Sequence, residues 1–325
     1  MRVSVSNYRG CLIGGGAADA RAYGIRDKSK DLISDNTQMA IFTVDGLIWA
    51  DDRAIRRGVY AYIPCLFYAY QKWYYTQTGN LADKDYDFIL NGEILDWEEL
   101  FARRGTGETS MTALAGSIKN KYGTLKNRVN SSKGCGSVMR VAPIGLYFWK
   151  NDEMAFNIGM ESGALTHGHI DAILSTGYYA AFVADIIAGA ELGEAAVAAR
   201  TRLMEREGHE TVSALIGGAI DLATSGAPVL KAMEEIGEGY TADEAVALAV
   251  FVCLRYMDDF DGAVLAATSF GGNTDSIAPI VGSALGARYG LDVIPQKWIA
   301  KLELQDLLAH GADLLLERVD IEDIS

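Results

Sequence analysis

Gly271-Gly272-Asn273-Thr274-Asp275-Ser276 is a run of small and oxygen-bearing side chains set directly before an apolar segment. Far upstream, Ser34-Asp35-Asn36-Thr37 carries the same chemistry in a different order, again just ahead of apolar positions with helical spacing. Hydroxyl, amide and carboxylate side chains accept hydrogen bonds from the free N–H groups of a helix's first turn, so both runs are expected at helix N-termini. The same side chains are hard oxygen donors, the set that suits magnesium and similar cations. Two readings stay open from the residues alone: two helix caps and nothing more, or two clusters that converge on one site.

Outward from these runs the pattern is helical. Behind Ser276, residues 277–289 hold Gly282 and Gly286 four apart among Ala278, Ala284 and Ala287, and Gly10 and Gly14 repeat that interval in a Gly/Ala-rich stretch at 10–24. Four-residue spacing places both glycines on one helix face and lets another helix approach closely. Apolar positions predict helices over 39–50, over 54–78 despite Pro64, over 157–189 with a break at Thr166-His167-Gly168-His169, and over 212–224. Thr241 with Glu244 has capping-box spacing before a helix over 245–256. Asp261 is expected to open the next helix and Pro295 the final helical region, with an acidic tail at 319–325. The polar stretch 79–91 reads as a variable loop. With only five prolines, many alanines and leucines and few alternating runs, the fold class is all-α. No fixed-period repeat or linker divides it, so residues 1–325 are expected to form one compact domain.

The net charge of −14, from 43 acidic against 29 basic residues, argues against unspecific nucleic-acid binding, because phosphate attraction needs a basic surface. Cys11, Cys65, Cys135 and Cys253 are far apart and form no metal-ribbon spacing, which points to a reducing cytoplasm. No uncharged apolar run reaches spanning length, so no membrane is expected.

The Gly/Ser/Thr-rich stretch 105–136 reads as a loop and ends in Ser131-Ser132-Lys133-Gly134-Cys135-Gly136-Ser137 before Met139-Arg140. It is either a connector or a cradle whose backbone N–H groups hold a phosphate beside a Lys or Arg. Two histidines two residues apart, His167 and His169, do not share a helix face; one lining a pocket and a structural role are both open.

Taken together and in order, these motifs resemble the ADP-ribosylglycohydrolase family, the group that includes dinitrogenase reductase-activating glycohydrolase. The carriers are Gly10-Cys-Leu-Ile-Gly-Gly15 with Asp19-Ala20, Ser34-Asp35-Asn36-Thr37-Gln38-Met39 and Gly105-Thr-Gly-Glu-Thr-Ser110. Ser132-Lys-Gly-Cys-Gly-Ser-Val-Met-Arg140 with Pro143-Ile144-Gly145, Thr166-His167 and Gly271–Ser276 complete the set. The resemblance spans nearly the whole chain. It implies an all-α fold with a central cleft holding one or two Mg2+ ions (Mn2+ in their place being possible), with Ser34, Asp35, Asn36, Asn273, Asp275 and Ser276 as ligands and Asp35 and Asp275 as the catalytic carboxylates. It further implies that Gly134, Gly136, Ser137, Met139, Arg140 and His167 line the place of ADP-ribose.

The implied reaction is hydrolysis of the bond between ADP-ribose and a side chain of a modified protein, arginine favoured. The alternative is a weak or inactive member that binds ADP-ribose, an ADP-ribosylated partner or an ADP-ribosyltransferase; a purely structural role is a third. Four departures bear on the choice. Asn36 and Asn273 stand where the family usually has aspartate, Ala18 replaces a glycine, and Arg26 lies where a glutamate is common. An amide oxygen binds magnesium less strongly than a carboxylate and cannot act as a base. Asn36→Asp and Asn273→Asp are therefore expected to raise metal affinity.

Overall fold

The computed structural model describes residues 3–27 and 29–321. In chain order the helices are α1 (Val5–Tyr23), α2 (Asp35–Arg57), α3 (Tyr62–Thr78), α4 (Glu108–Gly116), α5 (Ala142–Tyr147), α6 (Asp152–Ala164), α7 (Ile170–Ile187) and α8 (Leu192–Met204). They continue with α9 (Glu210–Thr224), α10 (Val229–Ile236), α11 (Ala242–Tyr256), α12 (Phe260–Ser269), α13 (Thr274–Tyr289), α14 (Gln296–Ile299) and α15 (Gln305–Ile321). A two-residue antiparallel pair, β1 (Arg26–Asp27) with β2 (Lys30–Asp31), is the only sheet among the described residues. One contiguous hydrophobic cluster runs from Tyr8 to Val319, so the all-α expectation holds as a single compact body.

The two glycine pairs meet each other. A Cβ on Gly14 would stand 2.5 Å from the Gly282 carbonyl oxygen, and one on Gly286 would stand 1.9 Å from that of Gly10. No side chain fits either gap, so α1 and α13 pack backbone to backbone. Because Gly10 faces Gly286 and Gly14 faces Gly282, the helices run antiparallel. The C-terminal end of α1, with Asp19, therefore lies beside the N-terminal end of α13. This seam is what positions the site.

Several sequence boundaries move. The predicted 54–78 helix is two: α2 continues to Arg57 and stops at Gly58, whose φ of +68° gives the left-handed cap that favours glycine. Helix α3 starts afresh at Tyr62, which puts Pro64 in a first turn where its missing N–H costs nothing. The expected loop at 79–91 contains a 3-10 helix, Lys84–Ile89, because Tyr86 and Ile89 are buried and the Tyr86 hydroxyl donates to the Ser117 carbonyl at 2.9 Å. The stretch 105–136 likewise contains α4.

The capping box at Thr241 does not form. The Glu244 carboxylate accepts from the Gly239 N–H at 3.0 Å instead, and the helix begins at Ala242. Helix α12 is capped by Asp259 rather than opened at Asp261, with the Asp259 carboxylate accepting from Gly262 N–H at 2.9 Å. Residues 319–321 of the predicted acidic tail belong to α15, and 322–325 lie outside the described residues. Helix α7 is long and apolar enough to cross a membrane, but it is almost wholly buried among the others. Near its C-terminal end Asp185 pairs with Arg202 on α8 at 2.8 Å.

Candidate functional site

The Ser34 and Asn273 runs do stand at the N-termini of α2 and α13, and both line one cleft of about 330 Å³. Its wall also holds residues from the 105–110 and 134–139 segments, His167, Tyr23 and Tyr240. The chain thus brings together, from the sequence-predicted set, Ser34, Asp35, Asn36, Gly134, Gly136, Met139, His167, Asn273, Asp275 and Ser276. Ser137 and Arg140 are not on its surface.

Asp19 organises the α2 end. Its carboxylate, fully buried, accepts from the Ser34 N–H at 2.8 Å, the Ser34 hydroxyl at 2.6 Å and the Thr37 hydroxyl at 2.5 Å. Burial pushes its pKa up, against these hydrogen bonds, which hold it down. The Ser34 hydroxyl in turn accepts from the Asn36 N–H at 3.2 Å, completing the helix cap. Asp35 is held from the other side: its N–H donates to the Arg104 carbonyl at 2.9 Å, and its carboxylate accepts from the Gly107 N–H at 3.2 Å. Arg104 is anchored by a bidentate pairing with Glu303 and by the Ile33 carbonyl.

The α13 end is fixed by another loop. Asn273 donates its N–H to the Glu238 carbonyl at 2.7 Å, and its side-chain amide N–H groups face the Gly239 carbonyl, Cys135 Sγ and Ser276 Oγ, each at 3.1 Å. The Cys135 thiol donates to Ser276 Oγ at 3.2 Å. Segments 134–137, 238–241 and 273–276 are thereby stitched together, which places Tyr240 at the cleft. Across the gap, Asn36 Nδ2 donates to the Asp275 carbonyl at 2.7 Å, joining the two helix ends.

The electrostatics of this floor favour a cation. Asp35 is pushed up to about 7, first by burial and then by repulsion from Asp19 and Asp275, against the Gly107 hydrogen bond. Asp275 is also raised by burial. None of the three carboxylates has a basic partner among the described residues. Nor do those residues contain three His, Cys, Asp or Glu side chains grouped as a metal site. The donor set is therefore two cleft-facing carboxylates supplemented by hydroxyl and amide oxygens, which fits a hard, oxygen-seeking ion and not a soft one.

The opposite wall is built on a buried cation. Arg140 is fully buried and has no carboxylate partner among the described residues. It donates to the Ser162 carbonyl at 3.1 Å and Thr166 Oγ1 at 2.8 Å, stacks 4.3 Å over Tyr70, and leaves its Nε–H without a partner. Arg140 thus reaches the cleft only through Thr166, whose hydroxyl is 2.8 Å from His167 Nδ1. Ser137, expected beside a ligand, instead accepts from the Thr176 hydroxyl at 2.8 Å beneath the surface. Lys133 is spent on Asp171 at 2.5 Å, so neither cation of the expected phosphate cradle lies in the cleft.

Burial, then Arg140, lowers the pKa of His167 to about 3, so its imidazole is neutral. Gly134 and Gly136 straddle its ring: a Cβ on Gly136 would stand 3.2 Å from Cε1. His169 caps α7, its Nδ1 accepting from the Asp171 N–H at 3.2 Å, and lies outside the cleft. The Arg26 side chain lies outside the described residues. The sequence reading assigned no role to Asp19, Cys135 or Tyr240. Asp19 and Cys135 stood inside the quoted motifs, but nothing there revealed their partners, which are distant in the chain.

A sequence model of the ADP-ribosylglycohydrolase family matches residues 2–323. ADP-ribosylarginine hydrolase Tri1 of Serratia proteamaculans is 26% identical over 220 residues, 67% of this chain and 56% of that protein. ADP-ribosylhydrolase ARH3 of Homo sapiens is 29% identical over 99 residues, 26% of this chain and 27% of that one. The chain thus spans about half the length of Tri1 and less of ARH3. A solved structure described as an ADP-ribosylglycohydrolase-related protein complex superposes with a TM-score of 0.64 at 18% identity, covering 97% of this chain and 98% of its own, a likeness of fold. The chain belongs to the ADP-ribosylglycohydrolase family.

Proposed function

We propose that this chain is a magnesium-dependent hydrolase that cleaves the glycosidic bond between ADP-ribose and a modified protein side chain, arginine favoured. One observation carries the reading: two helix N-termini 239 residues apart, at Asn36 and Asp275, are joined around carboxylates that have no basic partner among the described residues. Family membership and the likeness to a named arginine hydrolase support the substrate class.

Ser34, Asp35, Asn36, Asn273, Asp275 and Ser276 are the residues that would hold the ion. When bound it would supply Lewis acidity toward ribose hydroxyls and a water. The chain's own part is orientation and charge. The Gly134–Gly136 backbone and the neutral His167 face bind without adding a competing cation. Asp35 and Asp275 accept protons and hydroxyl hydrogen bonds on the acidic side. Hydrolysis forms the bond from a water oxygen to the anomeric carbon and breaks the bond from that carbon to the acceptor nitrogen. The proton given up by the water is taken up at Asp35 and passed on to the departing acceptor nitrogen, so that Asp35 ends as the carboxylate it began as.

A second reading, a member that binds ADP-ribose or an ADP-ribosylated partner with little turnover, is favoured by Asn273, whose amide leaves one fewer base in the cleft. One assay separates them: release of ADP-ribose from arginine-linked and serine-linked substrates, with magnesium, with manganese and with EDTA. Metal-dependent release is expected, fastest from arginine. Tight ADP-ribose binding with no release under any metal overturns the hydrolase reading.

A further inference from the structure

Pro279 lies inside α13 and has no N–H to give the carbonyl four residues back, which is that of Asp275. That carbonyl is the one Asn36 Nδ2 reaches at 2.7 Å. A carbonyl oxygen only accepts, so the amide must present its NH2 group to it. The orientation of Asn36 is thereby settled by chemistry. The same Nδ2 lies 3.5 Å from Asp19 Oδ1, a second acceptor with no proton to offer as a carboxylate.

We infer that Asn36 is a positioning residue, a donor clamp that satisfies the backbone oxygen freed by Pro279 and holds the α2 and α13 N-termini at a fixed separation. It is therefore not a weakened aspartate. A carboxylate at 36 would set an acceptor against the Asp275 carbonyl and a charge against Asp19, leaving a buried polar group opposed rather than paired. The expectation that Asn36→Asp raises metal affinity is reversed by this geometry. Asn36 itself lines the cleft. The inference uses the proposed metal site only to say what the clamp serves, and its main test needs no metal.

The test is a double-mutant cycle of Asn36→Asp and Pro279→Ala on the full chain, read by thermal unfolding in EDTA at pH 7.5, with magnesium calorimetry alongside. Pro279→Ala returns an N–H to the Asp275 carbonyl, so it removes the clamp's purpose but not the acidity of the site. Asn36→Asp alone is expected to lower Tm by about 3–6 °C. In the Pro279→Ala background the loss should shrink to less than half, a coupling that simple charge repulsion does not give. Magnesium should bind Asn36→Asp no more tightly than the parent. Equal losses in both backgrounds, no loss in either, or magnesium binding tightened tenfold or more by Asn36→Asp alone overturns the clamp. A parent protein that binds no magnesium defeats the proposed metal dependence, while the unfolding cycle still decides the clamp.

Discussion

The acidic wall of the cleft and the guanidinium buried behind its opposite wall carry opposite charges that are kept apart instead of paired. Among the described residues, Asp19, Asp35 and Asp275 on the α2/α13 side cluster without a basic partner, and Arg140 on the 134–140 side is buried without an acidic one. Had Arg140 reached the carboxylates, each charge would have cancelled the other's field. Separated, one wall is short of a cation and the other of an anion. A ligand that brings a diphosphate to one wall and ribose hydroxyls toward a metal on the other would satisfy both. The difference also shows two ways to make a charge felt: Asp35 and Asp275 line the cleft directly, whereas Arg140 acts from beneath through Thr166 and His167.

Neutralising the acidic wall has the largest expected effect. Asp35→Asn should slow ADP-ribose release on the order of 10²–10³-fold, the usual loss when one strongly placed charge-stabilising group is removed. Steady-state rates on an arginine-linked substrate check this. Neutralising the other wall is gentler. Arg140→Met keeps apolar bulk against Tyr70 and should weaken ADP-ribose binding about tenfold, as expected of a charge acting across several ångströms, with magnesium affinity unchanged.

A third effect is visible in stability. Burial and Arg140 depress His167 to about 3, below its unfolded value near 6.5. The unfolded chain therefore binds the extra proton first, and stability falls as pH drops from 6.5 toward 3. By pH 5 the loss from this group reaches up to about 2 kcal/mol. Urea unfolding of His167→Asn at pH 7.5 and 5 should show a smaller acid loss than the parent. An unchanged acid loss would mean that another group carries it. The smallest change is expected for Thr166→Val, which severs the contact between Arg140 and His167 and should cost about 1–2 kcal/mol, non-additively with Arg140→Met. Strict additivity would remove Thr166 as the link.

Helical content, the place of the two runs at helix N-termini and both glycine pairs were legible because they depend on local spacing, although only Ser34 caps its helix through its side chain. That Gly10 and Gly14 meet Gly286 and Gly282 was not legible, since Gly159 and Gly163 share the same interval and spacing alone does not choose a partner. What stayed hidden needed distant partners. The capping-box spacing at Thr241 failed because Glu244 found the Gly239 N–H, and Ser137 and Arg140, which read as ligand contacts, turned inward to Thr176, Thr166 and Ser162. Asn273 and Asn36 both read as substitutions for aspartate, yet their amides face the Gly239 and Asp275 carbonyls. Sequence shows which atoms a side chain carries; the acceptor it faces is set by the fold.

The separation of charges is tested most directly by calorimetric titration of the parent, Asp35→Asn and Arg140→Met with Mg2+ and, separately, with ADP-ribose. Asp35→Asn is expected to lose magnesium binding, while Arg140→Met keeps it and loses affinity for ADP-ribose. Equal weakening of both ligands by both substitutions, or magnesium binding that survives Asp35→Asn intact, would contradict it.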